Sequence, residues 1–132
     1  MQRTGIKIDK NIEKAVREIL KSRARSRIYL FLLKKDGAKT EQIIKGTKLH
    51  PSTVRETLSK MYDQELIYRK KQKNDSIGKN PYIFYSIPPI KLLKKYADDI
   101  EDKLNKIANL TLPKKSKFRP VKIKIKERAD TL

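Results

Sequence analysis

The stretch Ile43-Ile44-Lys45-Gly46-Thr47-Lys48-Leu49-His50-Pro51-Ser52-Thr53-Val54-Arg55-Glu56-Thr57-Leu58 decides the fold. It reads as the end of one short helix, a tight turn at Lys48-Leu49-His50, and the start of another helix. Thr40 is the expected N-cap of the first, which runs from Glu41 to about Thr47. Glu41 suits the positive end of that helix's dipole. Pro51 opens the second helix at a position where its missing N–H costs nothing. This helix should reach about Gln64, with Val54, Leu58 and Met61 on its buried face. The opposite face then offers Ser52, Thr53, Arg55, Glu56, Ser59 and Lys60.

Outward from this pair, Glu65-Leu66-Ile67 leads into a strand, Ile67 to Lys71. A polar loop from Gln72 to Asn80 follows, and then a second strand, Tyr82 to Ile87. Two strands joined by a basic, glycine-containing loop predict a hairpin. Its apolar residues fall on both faces, so one face must meet the core. On the N-terminal side a helix from about Arg23 to Lys35 is apolar nearly all round through Tyr29 to Leu33, which puts it in the core. Asp36-Gly37 ends it, with Gly37 as the expected left-handed residue. Before it, Asp9 can cap a helix from Lys10 to about Lys21, with a kink near Ser22. Met1 to Ile8 reads as a frayed arm or a short strand.

Pro88-Pro89 breaks the second strand and opens a long helix, about Ile90 to Leu110. Ile90, Leu93, Ala97, Ile100, Leu104 and Ile107 recur at alternating spacings of three and four. A narrow seam of that kind favours a paired coiled coil over a broad globular face, so these residues are expected to dimerise the chain. The tail beyond Pro113 is rich in lysine and arginine. Its Val121-Lys122-Ile123-Lys124-Ile125-Lys126 segment alternates as an edge strand does, and equally fits a basic arm. The expected fold class is mostly α with a small β-hairpin (α+β), a winged helix-turn-helix with a C-terminal dimerisation helix. Its segments are an N-terminal arm and helix (1–22), the winged helix-turn-helix domain (23–88), the dimerisation helix (89–112) and the tail (113–132).

The 34 lysines and arginines outnumber the 15 aspartates and glutamates, leaving a formal charge of +19 over 132 residues. A field of that sign favours polyanions. There is no cysteine and a single histidine, His50, so no zinc finger or triad of the usual kind is expected. No catalytic context surrounds the carboxylates and no phosphate-binding glycine loop is present. The expectation is therefore a protein that is not an enzyme and carries no cofactor or metal. No apolar run approaches the roughly 20 residues of a membrane span. The Ile28–Leu33 run lies deep in the chain with no cleavage site after it, so a cytoplasmic protein is expected.

The run Ile43 to Leu58, continued by Leu58-Ser59-Lys60-Met61-Tyr62-Asp63-Gln64-Glu65-Leu66-Ile67, resembles the helix-turn-helix of archaeal and bacterial regulators of the MarR and TrmB types. In those families the recognition helix also ends in an acidic, polar turn and an apolar pair entering the wing. Two positions depart from their pattern. Ile44 stands where the first helix commonly has a small residue. Lys48 stands where the turn commonly has glycine, and a lysine at positive φ costs on the order of 1 kcal/mol. The resemblance implies a transcription regulator that dimerises through terminal helices, with duplex DNA and the basal transcription machinery as partners and no membrane.

Physical chemistry supports the DNA reading. The major groove admits a helix and shows each base pair as a distinct donor and acceptor pattern. Arg55 can bond twice to a guanine. Glu56 can accept from a cytosine amine or orient Arg55, and Ser52 and Thr53 suit phosphates or the first bases. His50 sits at the cap before Pro51, fit for a structural role or a phosphate contact. On the wing, Arg69, Lys70, Lys71, Lys73 and Lys79 suit the backbone or the minor groove. The cluster Lys21 to Arg27 is the densest in arginine, and Arg25 is its candidate phosphate contact. Two functions remain open at this point: a regulator of specific sites, and an architectural protein that coats DNA with little sequence preference.

Overall fold

The computed structural model describes residues 6–72, 81–110 and 122–126. The order is α1 (Lys10–Leu20), α2 (Arg23–Lys35), α3 (Thr40–Thr47), α4 (Pro51–Asp63), β1 (Ile67–Lys71), β2 (Tyr82–Ser86) and α5 (Pro89–Ala108). This is the mostly helical α+β arrangement that the patterning predicts. The predicted wing residues Lys73 and Lys79, and the tail apart from 122–126, lie outside the described residues.

The chain divides into two compact units, Met1–Pro88 and Pro89–Leu132. In the first unit α2 is the central post. Ile28, Tyr29 and Leu32 on it are almost completely enclosed, together with Ile43 of α3 and Val54 and Met61 of α4. Burying one such side chain is worth roughly 1.5–3 kcal/mol, so the hydrophobic stripes read from the sequence are what seats α3 and α4 on α2. Tyr29 also pins α2 to the hairpin. Its hydroxyl donates to the Ile87 carbonyl at 2.6 Å, and the Ser86 hydroxyl donates to the Tyr29 carbonyl at 2.7 Å.

β1 and β2 pair antiparallel from Ile67↔Ser86 to Lys71↔Tyr82. The face that meets the core carries Ile67, Phe84 and Ser86, all buried. A single bridge on the other edge of β2 extends this sheet. Ala38 and Phe84 exchange both backbone hydrogen bonds, at 3.0 and 2.9 Å. Sequence patterning missed this bridge, because one residue carries no alternation.

Several helix ends differ from expectation. Ser22 separates α1 and α2 outright, its Oγ accepting from the Arg25 N–H at 3.1 Å. The N-cap of α3 is Lys39 rather than Thr40, and the Gln42 side chain accepts from the Lys39 N–H at 2.8 Å. That reach-back satisfies the N-cap N–H; a lysine side chain has no acceptor to offer the N3 N–H in return. At the end of α2 the left-handed residue is Asp36 (φ 56°), not Gly37. Aspartate tolerates that region better than most residues. Gly37 instead takes φ 108°, and a Cβ there would enter the ring of Tyr85.

The second unit contains α5 and the extended segment 122–126. Asn105 bonds the backbone of Ile123 twice: its Nδ2 donates to the carbonyl at 3.0 Å, and its Oδ1 accepts from the N–H. Glu101 accepts from the Ile125 N–H at 2.7 Å. Of the two readings of this segment, the strand is not realised within 122–126, whose backbone bonds α5 side chains instead of another strand.

Candidate nucleic-acid interface

The turn between α3 and α4 is built from local hydrogen bonds. The Thr47 hydroxyl donates to the Ile43 carbonyl at 2.6 Å and accepts a longer bond, 3.4 Å, from the Leu49 N–H. Lys48 takes φ 60°, the left-handed conformation expected at that position. Gly46, two residues before it, lets α3 approach α2, since a Cβ there would strike the Phe31 ring. The small residue that α3 needs to approach α2 is therefore Gly46, and half-buried Ile44 is accommodated.

His50 is the N-cap of α4. Its Nδ1 accepts from the Ser52 N–H at 3.2 Å and lies 2.7 Å from the Ser52 hydroxyl. With Nδ1 accepting, a neutral ring carries its hydrogen on Nε2. His50 and Ser52 are both exposed, so the entry to α4 is an ordered and accessible hydrogen-bonding group.

Along α4 the two faces separate cleanly. Val54, Thr57, Leu58 and Met61 are buried, while Ser52, Arg55, Glu56, Ser59 and Lys60 are exposed and Thr53 is half-buried. Glu56 pairs with Lys60 at 3.0 Å, one turn on. The i, i+4 spacing brings Lys60 alongside Glu56. With both side chains more than half exposed, the pair contributes only a few tenths of a kcal/mol and can open to a ligand.

Arg69 on β1 lies between two tyrosines. Its guanidinium carbon is 4.2 Å from the centroid of the Tyr62 ring, on α4, and 4.2 Å from that of Tyr82, on β2. Each exposed cation–π contact is worth about 0.5–1 kcal/mol, enough to restrict the side chain without hiding its charge. Arg69 and Arg55 both border a shallow hollow of about 360 Å³, with Ser59 and Thr40 beside them. The structure thus joins a helix residue and a wing residue that lie 14 positions apart in sequence. Tyr62 and Tyr82 escaped sequence reasoning as supporting residues, because pairing across elements leaves no local pattern.

On the other face of the hairpin Tyr68 stacks on Tyr85, centroids 5.2 Å apart, and the Lys70 ammonium lies 5.3 Å from the Tyr85 ring. Lys71 is exposed at the end of β1. Arg25 is half-buried on α2 and does not border the hollow beside α4. The candidate surface therefore contains the exposed face of α4, His50 and Arg69, with Lys71 at the rim of the hairpin. Among the described residues there is no cluster of metal-ligating side chains, and no helix is long and apolar enough to cross a membrane.

A family model described as "Sugar-specific transcriptional regulator TrmB" matches residues 22–90. Among solved structures, a possible transcriptional regulator from Methanosarcina mazei Go1 aligns with a TM-score of 0.61 at 18% identity, over 86% of this chain and 98% of that one. That likeness is one of fold. The MepR–DNA complex of S. aureus is more distant, with a TM-score of 0.46 at 21% identity over 76% of this chain and 87% of that one. No curated protein sequence matches.

Proposed function

This chain belongs to the TrmB family of transcriptional regulators, which are not enzymes, and from that premise we propose that it binds specific duplex DNA sites as a homodimer in the cytoplasm. α4 enters the major groove, where Arg55 reads a guanine and Ser52, Thr53, Glu56, Ser59 and Lys60 contact neighbouring bases or phosphates. His50 donates from Nε2 to a phosphate at the start of the helix. Arg69 and Lys71, with Lys73 and Lys79 of the wing loop, follow the backbone or the minor groove. Arg25 contacts a phosphate farther along.

The observation that carries this reading is the exposed polar face of α4 on a helix whose other face is fully committed to the core. A rod held from behind and bare in front is the geometry the groove accepts. The charge of +19 supplies steering and non-specific affinity.

The homodimer rests on α5. Ile90, Leu93, Leu104 and Ile107 are 38–69% exposed, and Ala97 and Ile100 are half-buried. An apolar seam left open to water on a 20-residue helix is stabilised by a second copy of itself. A two-fold dimer would place two α4 helices on half-sites about 34 Å apart. The basal transcription machinery is the further partner that a regulator at a promoter would meet.

The same charge also suits a protein that coats DNA without preference. Selection of bound sequences from a random duplex pool, with the pure full chain, separates the two. Enrichment of a short palindrome is the expected result. A pool that stays random would replace the regulator by the architectural reading.

A further inference from the structure

A cavity of about 370 Å³ lies between α1, α2 and the end of α3, and its walls concentrate positive charge. Arg17 of α1 and Arg23, Arg27 and Lys34 of α2 border it, against the single carboxylate of Glu13. Among the described residues none of these four cations forms an ion pair. Two of them, Arg23 and Arg27, stand on the opening turns of α2, whose first turn holds no acidic residue. The helix dipole disfavours Arg23 in that first turn, whereas Arg17 and Lys34 stand in last turns, where it favours them.

Leu30 and Phe31 also line the cavity, and Gly46 packs against the Phe31 ring. Three guanidinium groups and an ammonium sharing a cavity with apolar side chains suit an anion of high charge on a compact organic body. Guanidinium forks suit phosphate oxygens in particular. The volume falls within the range of small-molecule sites.

We infer that this cavity is a binding site for a small phosphorylated molecule, a phosphomonoester whose phosphate meets Arg17, Arg23 and Arg27 and whose body rests on Phe31. The same phosphate chemistry could come from a DNA backbone. The concave site and its apolar lining residues Leu30 and Phe31 favour the free ester, because a backbone phosphate brings no apolar body.

The site also adjoins the DNA-reading apparatus. Gly46 and Thr47 line the cavity, and Thr47 holds the turn that leads to His50 and α4. An occupant pressing on Thr47 would bias the orientation of α4, and duplex would reciprocally bias occupancy. This coupling rests on the DNA-binding reading, whereas occupancy of the cavity does not.

The test is a nitrogen-15 NMR titration of the full chain with phenyl phosphate, without DNA. Phenol supplies the ring without the charge, and inorganic phosphate the charge without the ring. Phenyl phosphate should saturate shifts of amides in 13–34 and 46–49, at least tenfold more tightly than inorganic phosphate, with no saturation by phenol. Substituting Arg23→Gln with Arg27→Gln, or Lys34→Gln alone as a milder variant, should weaken it by tenfold and about threefold with the remaining amide spectrum unchanged.

Equal binding of phosphate and phenyl phosphate, or shifts spread over every lysine-rich surface, would overturn the site. A DNA arm separates the two phosphate sources. Duplex that moves the same amides, displaces phenyl phosphate and loses affinity in the double variant would make the cavity a backbone contact and end the free-ester assignment. Failure of duplex to bind at all would sink the DNA-binding reading and leave the titration result standing.

Discussion

Arg55 stands on the second turn of α4, exposed, at the edge of the hollow it shares with Arg69. A guanidinium fork can bond a guanine twice, which makes the residue-scale prediction sharp. Replacing Arg55 by alanine should cost about 1–3 kcal/mol on the preferred site and relax one base position. Affinity measured on single-base variants of the selected site checks this, and an equal loss on every sequence would reassign Arg55 to a phosphate. Gly37 makes the opposite kind of prediction, about the scaffold. At φ 108°, with the Tyr85 ring against the Cβ direction, Gly37→Ala should destabilise the first unit by more than about 1 kcal/mol in denaturant melts. No change in midpoint would mean that the Tyr85 ring gives way at little cost.

At the scale of elements, the junction of α2 with the hairpin depends on two reciprocal hydrogen bonds rather than on apolar burial alone. Tyr29→Phe removes the bond to the Ile87 carbonyl and keeps the ring. Urea unfolding should show a loss of about 0.5–1.5 kcal/mol with an unchanged slope. An unaffected midpoint would show that water replaces the hydroxyl at Ile87. The hairpin is also tied to α4 by Arg69, which spans Tyr62 and Tyr82, so the two elements share one contact surface. Element boundaries were legible where they follow from side-chain chemistry at the boundary itself: Asp9 before α1, Pro51 at α4, Pro88-Pro89 at the start of α5. The cap of α3 was misplaced by one residue, since Thr40 and Lys39 compete and the reach of Gln42 decides.

For the whole molecule, the proposed homodimer rests on the open seam of α5. Substituting Ile100 and Leu104 together by glutamate should give monomers in sedimentation and lower affinity for the palindrome, while half-site binding persists. A dimer that survives the double substitution would remove α5 as the interface. The segment 122–126 bonds Glu101 and Asn105, beside Ile100 and Leu104 along α5. The segment 122–126 therefore occupies a face of the helix next to the seam.

By itself the amino-acid order determined the helix-turn-helix, the hairpin and the long helix, and the outward face of α4. These follow from periodicity, capping residues and proline, all of which act over a turn or two of chain. Tertiary structure alone decided which distant residues meet: Arg69 with Tyr62 and Tyr82, Ala38 with Phe84, Tyr29 with Ser86 and Ile87, and the cations of α1 and α2 around one cavity. Such meetings depend on how packed elements fall together in space, and a one-dimensional pattern carries no record of distance across the fold.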